Sequence, residues 1–122
     1  MAAPNIVNVT SIYGRTQGAS LGTTLTDEIL LCPSDKLLKI NSIIVSSVDA
    51  ANSADVTVYF YDGSASTRLA IASAVTVPAK STLVVIGKDS PIYLAEGDSI
   101  EAGASAASDL QIIISFEELD DA

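Results

Sequence analysis

With 122 residues, 48% of them apolar and 17% charged, the chain holds enough apolar side chain for one core and too little length for two. That excludes a disordered chain and predicts a single domain over residues 1–122. A net charge of −9 excludes phosphate-backbone binding and anionic membranes, and the absence of His beside a lone Cys excludes Ser-His and Cys-His nucleophiles, an intrachain disulfide and a thiolate cage.

Side chains alternate with period two almost throughout, which is the strand period. "NIVNVTSIY", 5–13, reads as a first strand, and the glycines at 14, 18 and 22 in the following "GRTQGASLGTT" mark a loop or an irregular edge segment. "LTDEILLC", 25–32, is a strand ended by Pro33, with "PSDK" as a turn. In "LLKINSIIVSSV", 37–48, strict alternation puts Leu38, Ile40, Ser42, Ile44 and Ser46 on one face, and Leu37, Lys39, Asn41, Ile43, Val45 and Ser47 on the other. "DVTVYFYDG" is the cleanest strand, with Val56, Val58 and Phe60 facing one way and Thr57, Tyr59 and Tyr61 the other. Asp62-Gly63 then supplies a hairpin turn. Packing between sheets is the expectation for Tyr59 and Tyr61, with an exposed interface patch as the other reading.

"RLAIASAVTVP", 68–78, is one long strand or two. "TLVVIG", 82–87, reads as a buried strand, "KDSP" as a turn and "IYL" as a short strand. Glu96-Gly97-Asp98 is a tight turn into "SIEAGAS", with Gly97 free to take positive φ and Asp98 placed to accept from nearby backbone amides. "LQIIISFEEL", 110–119, closes the series with Ile112, Ile114 and Phe116 on one face. About eight short strands without a helix predict an all-β antiparallel two-sheet sandwich, jelly-roll-like. Residues 1–5 form a short N-terminal arm and residues 117–122 an acidic C-terminal tail.

Candidate chemistry is sparse. Paired carboxylates need only acids, so Asp98 with Glu101 and Glu117 with Glu118 are weighed as a hydrolase pair. Neighbouring acids on a strand point to opposite faces, and Asp98 heads a turn, so no catalytic residue is assigned. "DGSAS", 62–66, and the Glu96-Gly97-Asp98 turn do not match the spaced ligands of a calcium loop, so no metal ligand is assigned. Without a phosphate-cradling glycine pattern no cofactor is expected either. Cys32, in "ILLCPS", reads as a small buried hydrophobe. "NVT" at 8–10 matches a glycosylation sequon by chance, because "MAAPNIVNVT" shows no secretory signal. Six aromatic residues and no Trp weaken a carbohydrate-binding reading. Exposed sheet edges call for a covering partner, and symmetric self-association is a common one.

The stretches "MAAPNIVNVTSIYGRT", "INSIIVSSVDAANSADVTVYFY" and "STLVVIGKDSPIYLAEGDSIEAGASA" resemble small virion proteins of tailed bacteriophages, especially those of cyanobacteria. The marker is the ending: a proline-led turn, "YLAEGDSIEA", a last strand and an acidic close. The resemblance implies a structural β-sandwich located in the virion, without catalytic residues, most simply a capsid decoration or cement protein on the head exterior. It implies a homotrimer that binds the major capsid protein or other virion proteins. The alternative is a tail, fibre or baseplate component for host attachment, using the loops 62–67 and 105–109.

Overall fold

The computed structural model describes residues 11–87 and 89–120, all in strands and the turns between them. The strands are β1 (Ser11–Ser20), β2 (Asp27–Leu31), β3 (Lys36–Ser47), β4 (Ala54–Asp62), β5 (Thr67–Val77), β6 (Thr82–Ile86), β7 (Ile92–Leu94), β8 (Ser99–Ala104) and β9 (Leu110–Asp120). One sheet, A, has the order β1-β9-β3-β6, with β7 also paired to β3, and the other, B, has the order β2-β8-β4-β5. All pairings are antiparallel.

Nine strands stand where about eight were expected, and the short strand read at "IYL" is present as β7. β7 pairs with β3 at residues 38–40 and β6 at residues 43–46, so the two lie end to end along one side of β3. Pro91, which has no amide hydrogen to give a ladder, stands in the gap between them. With β6 and β7 taken as one interrupted strand, each sheet has four, and the chain crosses between them in the order of a jelly-roll sandwich.

Between the sheets lie Leu38, Ile40, Ile43, Val45, Ile112, Ile114 and Phe116 from sheet A, facing Val56, Val58, Ile100, Ala102 and Ala104 from sheet B. Strict alternation along 37–48 is therefore wrong past Ile40. Ile40 pairs with Phe116 but Ser42 pairs with Ser115, so one extra residue, Asn41, bulges out of the ladder. A bulge shifts the phase by one, which turns Ile43, Val45 and Ser47 inward and Ile44 and Ser46 outward.

The glycines at 14 and 18 sit inside a ten-residue edge strand, which agrees with the edge reading of that segment, but the strand is regular and not irregular as expected. The segment 68–78 is one strand, β5, carrying two irregularities opposite Val56–Tyr59. Its second irregularity includes Ala74 at φ 49°, whose amide donates to the Thr57 hydroxyl at 3.1 Å. β6 is an edge strand rather than a buried one, with Val84 61% exposed. The acidic end remains in strand as far as Asp120, because Glu118 pairs with Arg15 and Asp120 with Lys36. The arm at 1–5, the strand start at 5–10, the sequon at 8–10 and the last two residues of the tail lie outside the described residues.

Candidate functional site

Three turns meet at one end of the sandwich. Gly97 takes φ 86°, and Asp98, nearly buried, accepts from the Ala95 amide at 3.1 Å and from the Gly63 amide at 3.0 Å. Cys32 joins through its backbone, its amide donating to the Asp98 carbonyl and its own carbonyl accepting from Gly97. Glu96 accepts from the Asp35 amide at 2.8 Å, which holds its carboxyl below the usual range. Asp98 thus fastens the loops after β4 and β7 to each other, and both its oxygens are spent on amides. The hairpin turn expected at Asp62-Gly63 is present between β4 and β5. A four-residue loop follows β4, closed by Asp62 on Ser64 and Ala65, with Ser66 at φ 51°. Gly63 is small for another reason: a Cβ there would overlap the carbonyl of Gly97.

Cys32 is buried, its thiol donating to the Lys36 carbonyl at 3.3 Å. Burial pushes that thiol up to about 11, against a backbone hydrogen bond that lowers it, so the group stays protonated and unreactive near neutrality.

On the outer face of sheet B, Arg68 of β5 forms a two-pronged pair with Glu101 of β8, with Nη2 3.2 Å from Oε2. The guanidinium lies 5.1 Å from the Tyr61 ring centre and 5.9 Å from that of Tyr59. Both tyrosines therefore face outward beside Arg68, and the expected packing between sheets does not occur; only Phe60 points toward the core. The sequence marks two faces on β4, and the large tyrosine rings, apolar bodies with a polar tip, fit a core as well as a surface. Glu101 is buried to 7% exposure and its direct cross-strand neighbour on β2 is Glu28. Arg68 neutralises the first of these, a role that only the cross-strand register reveals.

The carboxylate pairs weighed from the sequence separate in space. Asp98 holds turn amides, whereas Glu101 holds Arg68 on a sheet face. Glu117 and Glu118 point to opposite faces of sheet A, Glu117 beside Lys39 and Gly14, and Glu118 toward Arg15. Among the described residues no three acids or cysteines gather as a cation ligand set. The two loops read as host contacts also separate: 62–67 lies beside Gly97 and Asp98, while 105–109 lies beside Asp55, at the other end of β4.

The outer face of sheet A is different in kind. Cross-strand partners share a face, which sets Gly18, Ile113, Ile44 and Val84 in one row. The adjoining rows are Ser20-Gln111-Ser46-Thr82 and Thr16-Ser115-Ser42. This central band has no charge, in a chain of −9. At its β1 end an open recess of about 320 Å³ is lined by Gly18, Ala19, Ser20, Gln111, Ile112 and Ile113.

The geometry defines an antiparallel jelly-roll sandwich with an uncharged central band on the outer face of sheet A. No protein-family model matches the sequence, and no curated protein matches it. Among solved structures the chain is similar to a pentameric capsid protein isolated from metagenomic phage sequences, in two determinations. Identity is 17% in both, with TM-scores of 0.36 and 0.37, covering 97% of this chain and 68% and 64% of those chains. It is also similar to the CBM22-1 xylan-binding domain of Xyn10C from Paenibacillus barcinonensis, at 14% identity and a TM-score of 0.29, over 94% of this chain and 90% of that one.

Proposed function

We propose that the chain is a structural protein of a tailed-phage virion, a decoration or cement subunit on the head exterior with no catalytic role. The observation that carries this reading is the jelly-roll order of its two sheets, an architecture used for viral shells. It agrees with the resemblance of "YLAEGDSIEAGASA" and its flanks to virion proteins. In this reading residues 1–122 work as one domain, with residues 1–5 as an arm reaching a neighbour and the acidic end at 117–122 turned away from like-charged surfaces. The partners are further copies of the chain and the major capsid protein. Self-association seals an exposed sheet edge.

Quantitative mass spectrometry of purified virions that carry the gene tests the reading. Copies comparable in number to the major capsid protein are expected, and particles lacking the protein should lose their DNA at a lower temperature. Absence from the particle overturns the proposal, and a handful of copies confined to the tail tip replaces it with an attachment role.

A further inference from the structure

The sandwich has four sheet edges, and three are blunted. β2 is five residues long with an irregularity between Glu28 and Leu30. β5 carries two irregularities. The remaining edge of sheet A is split into β6 and β7, with a register shift opposite Ile43–Ile44. Bulges, breaks, short length and charged side chains are how soluble proteins stop an edge from pairing with another chain. Of these β1 has only the single charge of Arg15, which is engaged with Glu118 on the neighbouring strand. β1 keeps ten consecutive partners on β9 without a shift, it pairs with no other strand among the described residues, and, like β5, β6 and β7, it contains no acid in a chain that has 15.

We infer that β1 is the edge through which two copies of this chain associate, antiparallel about a twofold axis, joining their A sheets into one. A head-to-tail ring needs two different open edges, whereas a twofold contact needs only one, and one is what the described residues leave open. A twofold normal to the sheet pairs residues that share a face, so the axis must pass through a residue pair. Centred on Arg15, it would set two guanidinium groups opposite each other, which is unfavourable. Centred on Thr16, it sets Thr16 against Thr16, Arg15 against Gln17, Gly14 against Gly18 and Ile12 against Ser20.

That last pairing meets a feature already in the surface. Ile12 is 58% exposed and lies on the outer face, across from Leu119. In the Thr16-centred register it descends beside the partner's Ser20 and Gly18, into the recess those residues line with Gln111 and Ile113. The lack of a side chain at Gly18 helps to keep the recess open. Being symmetric, the fit occurs twice. A bare strand ladder is a narrow contact, and two isoleucines set into two recesses add the apolar burial that makes it stable. The inference rests on the self-association in the proposed function and not on the virion location.

Sedimentation velocity and light scattering on the purified full chain test it. The expected mass is that of two chains. Thr16→Lys sets two ammonium groups together at the axis, and Gly18→Leu fills the recess; each should weaken association about tenfold or more. Both positions are exposed, and a Cβ on Gly18 would meet only the Ile112 carbonyl oxygen, at 3.7 Å, so unchanged melting is the check that the fold survives. Mild oxidation should link Thr16→Cys into covalent pairs and leave Val84→Cys, on the opposite edge, unlinked. A single-chain mass for the unaltered protein overturns the inference. So does a multimer that survives both substitutions and links through Val84→Cys, which would move the contact to β6 while leaving self-association, and the separate question of virion content, intact.

Discussion

Gly63 shows how a single residue fixes the relation between two turns. A methyl group there would strike the backbone carbonyl of Gly97, and backbone cannot step aside as a flexible side chain can. Gly63→Ala should therefore cost roughly 1–3 kcal/mol by overpacking, read from chemical denaturation, and it should loosen the Asp98 hydrogen bond to the residue-63 amide. A change within about 0.5 kcal/mol would show that the turns separate freely. Gly97 and Asp98 are legible in the sequence because their constraint is local, a turn and its own acceptor. Gly63 is not, since its crowding comes from a segment 34 residues away. Cys32 carries a second prediction at this scale. Its thiol is held protonated up to about 11, against about 9 for an exposed one, so the fold binds that proton more tightly than the unfolded chain does. The resulting stabilisation is complete below pH 9 and is lost as pH climbs through about 11, at most roughly 3 kcal/mol. Cys32→Ala should remove this component of the alkaline decline. A thiol reagent at pH 8 should label the native protein only as fast as it unfolds, and rapid labelling would contradict the buried, protonated state.

β3 poses the question of register at the scale of an element. Alternation reads the faces correctly up to Ile40 and then fails, because sequence cannot mark where a ladder admits an extra residue when both faces are apolar. Asn41 is that residue, and its neighbours record what it does. Ile40 keeps Phe116 and Ser42 takes Ser115, so the ladder continues as though Asn41 were absent. Deleting Asn41 leaves Leu38, Ile40, Ile43 and Val45 in strict alternation, all inward. The deletion variant should fold, with the same core and a modest loss of melting temperature from the altered bend of the strand. An alanine inserted after Ile112 in β9 should behave oppositely, turning Ile114 and Phe116 away from the core, and leave no cooperative transition. Equal damage from the two changes would mean that the bulge itself is indispensable. β1 and β6 teach a related lesson. The strand count and antiparallel class follow from composition and period, but which strands lie at the edges depends on long-range pairing. For that reason glycine-rich β1 was legible only as either a loop or an edge, and apolar β6 read as buried.

For the whole molecule, charge sets the terms on which copies meet. The chain carries 15 acids and 6 bases, and three of those bases, Arg15, Lys36 and Arg68, are already engaged with Glu118, Asp120 and Glu101. Any two copies therefore repel at long range, whatever their contact, while β1 and the central band of sheet A offer surfaces where no acid stands. The attraction is short-ranged, made of backbone hydrogen bonds and apolar burial, and the repulsion is long-ranged and screened. The Debye length shrinks from about 30 Å at 0.01 M salt to about 10 Å at 0.1 M and 3 Å at 1 M, so added salt removes repulsion and leaves the contact untouched. Association measured by sedimentation should tighten several-fold between low and moderate salt, most steeply at the lowest concentrations, and then level off. Were ion pairs across the interface the main attraction, salt would instead weaken it. Thr16→Lys separates the two cases further. It lowers the net negative charge of each copy, which favours association at a distance, yet it sets two like charges at the twofold axis. If the β1 edge is the contact, the local term dominates, and the variant stays weakened at every salt concentration.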